Sequence, residues 1–102
     1  MLTQLSADEY DRKAKMPIGV LHVSIEELEI DHGIVFVEDL DDLNYFRWAA
    51  LRVPSGATFA LLKYRDSSSG VQIFGDPENP SMDELALELR LPPSIFTPSG
   101  DR

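Results

Sequence analysis

The chain has 102 residues, a formal net charge of −9 and no cysteine. That length allows one domain with one modest core. The lack of cysteine excludes a disulfide framework, thiolate metal sites and cysteine nucleophiles, and the acidic balance opposes nucleic acid and anionic lipid at long range.

Residues 1–5 and 98–102 are expected to fray at the ends of a single 1–102 domain. Ser6, followed by Glu9, fits a capping box. It predicts a short helix over 7–15 that Pro17 stops. Residues 18–25 are rich in β-branched side chains and read as a strand. The next segment admits two readings. Ser24 and Glu27 form a second capping box, whereas Leu28, Glu29, Ile30 and Asp31 alternate apolar and polar before an Asp-His-Gly turn. The alternation favours a hairpin that pairs 28–30 with 34–37. Residues 38–43 make a connection or one helical turn. Strands over 45–53 and 58–64 flank Pro54-Ser55-Gly56, and a further strand covers 71–74. Ser81 and Glu84 form a third capping box, which opens a helix over 82–90. Pro92 and Pro93 end it, with Ile95 and Phe96 tucked onto the core. The connections are too short for parallel crossovers. The expected fold is α+β: an antiparallel, meander-like sheet of about five strands, with a short N-terminal helix and a C-terminal helix packed on it.

The segment 44–65 is apolar, aromatic and basic, and contains no acidic residue. A three-residue loop with Gly56 in the left-handed region sets the hairpin register. One face then carries Phe46, Trp48, Ala50 and Arg52 with Thr58, Ala60, Leu62 and Tyr64. The other carries Tyr45, Arg47, Ala49, Leu51 and Val53 with Ala57, Phe59, Leu61, Lys63 and Arg65. Strands apolar on both faces are usually central and covered twice. The same register sets Arg47 opposite Lys63, a repulsive cross-strand pair; a four-residue turn would instead set Arg47 by Tyr64 and Trp48 by Lys63, at the cost of mixing the faces. Carboxylates from 38–42 or Asp66 are the expected counter-charges. An external anion held by Arg47, Lys63 and Arg65 is the alternative.

Motifs for chemistry are weak. Asp39, Asp41, Asp42 and Asn44 fail the calcium-loop pattern, because Leu43 and Asn44 stand where an acid and a glycine are required. Ser67, Ser68 and Ser69 lack a nucleophile-elbow context. His22 and His32 have too few neighbouring ligands for a metal. The aromatics around Arg47 resemble a stacking platform, but they serve equally as core and the net charge opposes nucleic acid. Neither a metal nor a cofactor is expected. No apolar run reaches the roughly 20 residues that span a bilayer, and no secretory leader is visible, so a cytoplasmic setting is expected. The resulting expectation is a small acidic, non-enzymatic interaction module. Glu26, Glu27, Glu29, Asp31, Glu38, Asp39, Asp41 and Asp42 would face a basic partner, as in an immunity or inhibitor protein. A small-anion binder or enzyme built on Arg47, Lys63 and Arg65 is the second reading. A homodimeric accessory domain is the third.

Overall fold

A computed structural model describes residues 2–10, 16–40, 44–65, 70–76 and 82–98. Among them, seven strands form one antiparallel sheet: β1 (Thr3–Leu5), β2 (Met16–Leu21), β3 (Val37–Leu40), β4 (Tyr45–Arg52), β5 (Thr58–Tyr64), β6 (Val71–Gly75) and β7 (Phe96–Pro98). The helices are α1 (Ile25–His32) and α2 (Met82–Leu89). The strand order is β1-β4-β5-β6-β2-β7, with β3 also on β4. β3-β4-β5-β6 runs as a meander, and β2 inserts between β6 and β7.

The central hairpin has the expected register. Arg52 faces Thr58 and Arg47 faces Lys63. The Gly56 N–H donates to the Val53 carbonyl at 2.9 Å, and Gly56 has φ 99°. Pro54 favours such a turn, and glycine adopts the positive φ without steric cost. The faces also separate as read. Ala49, Leu51, Val53, Phe59 and Leu61 pack with Ile25 and Leu28 of α1 and Leu85 and Leu89 of α2. Phe46, Trp48, Ala50 and Ala60 pack with Leu5 and Tyr10 on the opposite face. Both helices therefore lie on one side of the sheet. Leu51, Leu61, Leu85 and Leu89 are wholly buried, each worth about 1.5–3 kcal/mol.

The sheet has seven strands among the described residues where about five were expected, and three further expectations are corrected. Residues 3–5 do not form a loose end: β1 pairs Thr3, Gln4 and Leu5 with Arg52, Leu51 and Ala50. The Ser6 box forms, with the Ser6 N–H donating to Glu9 Oε1 at 2.8 Å, and this bond holds the Glu9 carboxyl below its ordinary pKa. Yet only a 3-10 turn, Ala7–Glu9, follows it before Tyr10 leaves the helical conformation, and residues 11–15 lie outside the described set. Third, the first arm of the hairpin expected over 28–37 is part of helix α1, and of the second arm only Val37 lies in a strand. Ser24 Oγ accepts from the Glu27 N–H at 3.1 Å, and Gly33, at φ 66°, donates its N–H to the Glu29 carbonyl. The alternation misled because Ile30 is 82% exposed while Leu28 is buried. Ile25 and Leu28, three apart, form the buried stripe instead.

At the end of α2, the Leu91 N–H donates to the Ala86 carbonyl and the Arg90 N–H to the Leu87 carbonyl. These are the two bonds of a Schellman cap, with Arg90 at φ 57° in the place glycine usually takes. The hairpin tip is tied to the first turn of α2, where Ser55 Oγ donates to Glu84 Oε1 at 2.6 Å.

Two substitutions should move stability in opposite directions. Ser24→Ala removes the cap of α1 and should cost about 1 kcal/mol. Arg90→Gly relieves the left-handed backbone and should stabilise by about 0.5–1 kcal/mol, net of the lost side chain. Urea unfolding followed by Trp48 fluorescence measures both.

Candidate functional site

Three of the hairpin's four basic residues, Arg47, Lys63 and Arg65, gather where β4 begins and β5 ends. They line a cavity of about 250 Å³ whose wall includes the α1 cap Ser24, Glu26 of α1, Glu38 of β3, Tyr45 and Tyr64. Packing against the sheet turns Ile25 and Leu28 inward, which leaves Glu26 and Glu29 on the side of α1 that meets Arg47. The Arg47 guanidinium lies 2.8 Å from Glu29 and 3.8 Å from Glu26. Arg65 lies 3.0 Å from Glu38, with its guanidinium 4.4 Å from the centre of the Tyr45 ring. This is a cation–π geometry that also holds Arg65 in place.

The repulsion between Arg47 and Lys63 is thus answered within the chain. Arg47 turns toward the helix, and three carboxylates, Glu26, Glu29 and Glu38, balance the three cations Arg47, Lys63 and Arg65. Glu38 comes from the expected segment, while Glu26 and Glu29 come from a helix that the sequence reading had replaced with a hairpin. Asp41, Asp42 and Asp66 lie outside the described residues. An incoming anion would have to compete with carboxylates already seated on both arginines.

The remaining acids are spread rather than gathered in one loop. Glu27 accepts from Ser24 Oγ at 3.3 Å as part of the helix cap. Asp39 Oδ1 accepts from the Leu40 N–H at 2.8 Å. Asp31 lines a second cavity of about 520 Å³, where the C-terminal ends of α1 and α2 bring it near His32, Glu88 and Arg90. Among the described residues, no group of three His, Asp or Glu side chains converges on a point where a metal could sit. His22 Nε2 is 2.7 Å from Thr97 Oγ1. No helix of the described residues is long and apolar enough to cross a membrane.

The sequence reading missed an apolar surface. Of the seven large apolar side chains exposed among the described residues, five fall within 30–45: Ile30, Val35, Val37, Leu40 and Tyr45. Ile30, Val35, Val37 and Tyr45 had read as strand residues, and Leu40 as part of a connection or helical turn where the structure has β3. The signal was a run of β-branched residues, but a strand paired on one side only leaves half of that run outside. Position along the edge comes from Gln4, whose side-chain amide donates to the Val35 carbonyl at 2.6 Å and accepts from the Val35 N–H at 2.9 Å. The amide holds the entry to β3 in line with β1, so the two short strands lie end to end along β4. No family model, curated protein or solved structure matches this chain. Its function is therefore read from geometry.

Glu29→Gln should cost about 1 kcal/mol, because it loosens Arg47 opposite Lys63. A double-mutant cycle on Arg47→Ala and Glu29→Ala by urea unfolding should give a coupling of about 0.5–1 kcal/mol. Zero coupling would remove Glu29 as the partner that matters.

Proposed function

We propose that the chain is a non-catalytic, cytoplasmic protein-binding module that takes a basic protein on the surface formed by α1 and β3. One observation supports this reading above the others: exposed apolar side chains and carboxylates interleave on the same short stretch. Ile30, Val37 and Leu40 stand out from the surface at 82%, 50% and 56% exposure, next to Glu27, Asp31, Glu38 and Asp39, which are exposed as well. Apolar anchors ringed by polar groups are the usual anatomy of an interface. The net charge of −9 would steer a cationic partner toward it. An immunity- or inhibitor-type protein that covers the basic groove of its target is one form this module could take.

The small-anion reading is less well supported. Arg47 and Arg65 already hold carboxylates at 2.8 and 3.0 Å, so the cavity beside them is close to neutral.

Immobilised protein should retain from cell lysate, at low salt, a partner of basic isoelectric point, and the purified pair should dissociate as salt rises. Ile30→Ser and Val37→Ser, both outside the core, should each weaken the pair roughly tenfold. No basic partner at low salt, or a partner indifferent to both changes, would defeat the reading.

A further inference from the structure

We infer that β3 takes its partner by strand addition, and that the segment it accepts has the pattern apolar–basic–basic–apolar. This rests on the protein-binding reading above and specifies how such a partner would dock.

The direction of each backbone group on β3 follows from one bond. The Tyr45 carbonyl accepts from the Arg65 N–H at 2.9 Å, so the polar backbone groups of Tyr45 face β5. In an antiparallel ladder these directions alternate from residue to residue. Phe46 and Trp48 therefore face β3, where they meet Asp39 and Val37 in register. That leaves Glu38 and Leu40 pointing away from the sheet. The Leu40 N–H is already held by Asp39 Oδ1. The outer edge thus offers the Glu38 N–H, the Glu38 carbonyl and the Leu40 carbonyl. Among the described residues β3 pairs with β4 and with no second strand.

Soluble proteins normally blunt such an edge by shortness, proline, a bulge or charged side chains. β3 is short and has no proline or bulge; its charges are the acids Glu38 and Asp39, which turn away another acidic edge but not a basic strand, and all four residues are exposed. Backbone open to a basic guest, with apolar side chains at both ends of the strand, suits an added strand, in which main-chain bonds supply affinity and side chains supply choice.

Charge selects the occupant. Residues directly opposite in a sheet share a face and lie within contact, and like charges there are destabilising. A second copy of this chain, added antiparallel, would set either Glu38 against its own Glu38 or Asp39 against its own Asp39, because only outward-facing residues can pair. A segment with Lys or Arg opposite both acids removes that conflict. Apolar residues opposite Val37 and Leu40 complete the match. The acceptor pattern is the same read in either direction, so it holds for a parallel or an antiparallel guest.

The probe is the capped hexapeptide Thr-Val-Lys-Arg-Val-Thr, titrated into the isotope-labelled protein. Binding is expected to slow hydrogen exchange of the Glu38 amide at least tenfold. A peptide N-methylated on the amides that face β3 should lose binding altogether. Glu38→Gln should weaken binding severalfold, since it removes the charge opposite the guest's basic residue together with the Arg65 ion pair. Glu38→Pro should abolish it, since proline lacks the outward N–H yet suits an edge position. An unchanged Trp48 unfolding curve would show that the variant still folds. Strand addition is overturned if the parent peptide fails to bind at millimolar concentration, if N-methylation makes no difference, or if the Glu38 amide keeps its exchange rate. If the partner captured from lysate still binds and still depends on Ile30 and Val37, the protein-binding reading survives and only the docking mode falls.

Discussion

The structure depends on a hairpin that is apolar on both faces. Neither face of β4 and β5 can be left in water, because Leu51, Phe59 and Leu61 point one way while Phe46, Trp48 and Ala60 point the other. Both helices are drawn to the first face, where Leu28, Leu85 and Leu89 complete the core. Leu5 and Tyr10 close over the second. The hairpin also needs partners for its outer backbone groups. β6 supplies them for β5, whereas β4 draws on two short strands laid end to end, one from the N-terminus and one from the middle of the chain.

This arrangement determines where charge can go. The β4–β5 register sets Arg47 opposite Lys63, and burial of the apolar middle of the hairpin leaves little freedom to shift that register. The conflict is met by placing α1 so that Glu26 and Glu29 overhang Arg47, and by seating Arg65 between Tyr45 and Glu38. Through these ion pairs the cluster joins α1, the hairpin and β3. Half of the acids expected to meet a partner, Glu26, Glu29 and Glu38 among those described, contribute to holding the fold. Glu27, Asp31 and Asp39 remain at the surface, beside apolar side chains that composition alone would have assigned to the core.

The hairpin was legible because its evidence is local. A Pro-Ser-Gly turn fixes the register, and side-chain alternation then sorts every residue to a face. The sheet edges were not legible, because pairing partners far apart in sequence decide them. Thr3, Gln4 and Leu5 form a strand only because β4 offers its outer groups, and Gln4 becomes structural only when Val35 is brought alongside. Helix α1 shows the same limit at close range. Its capping box and a strand-like alternation competed over the same eight residues. The outcome turned on whether Ile30 had a core to face, and sequence spacing does not contain that information.

By itself the sequence determined a cysteine-free acidic domain, an α+β composition, the central hairpin with its two faces, and the C-terminal helix. Each follows from short-range chemistry: turn residues, capping pairs and side-chain period. Tertiary structure alone decided which carboxylates answer Arg47 and Arg65, which side of the sheet carries both helices, and that β3, among the described residues, pairs with β4 alone. Those outcomes depend on burial and on backbone hydrogen bonds between distant segments, so they exist only once the chain has closed around its hairpin.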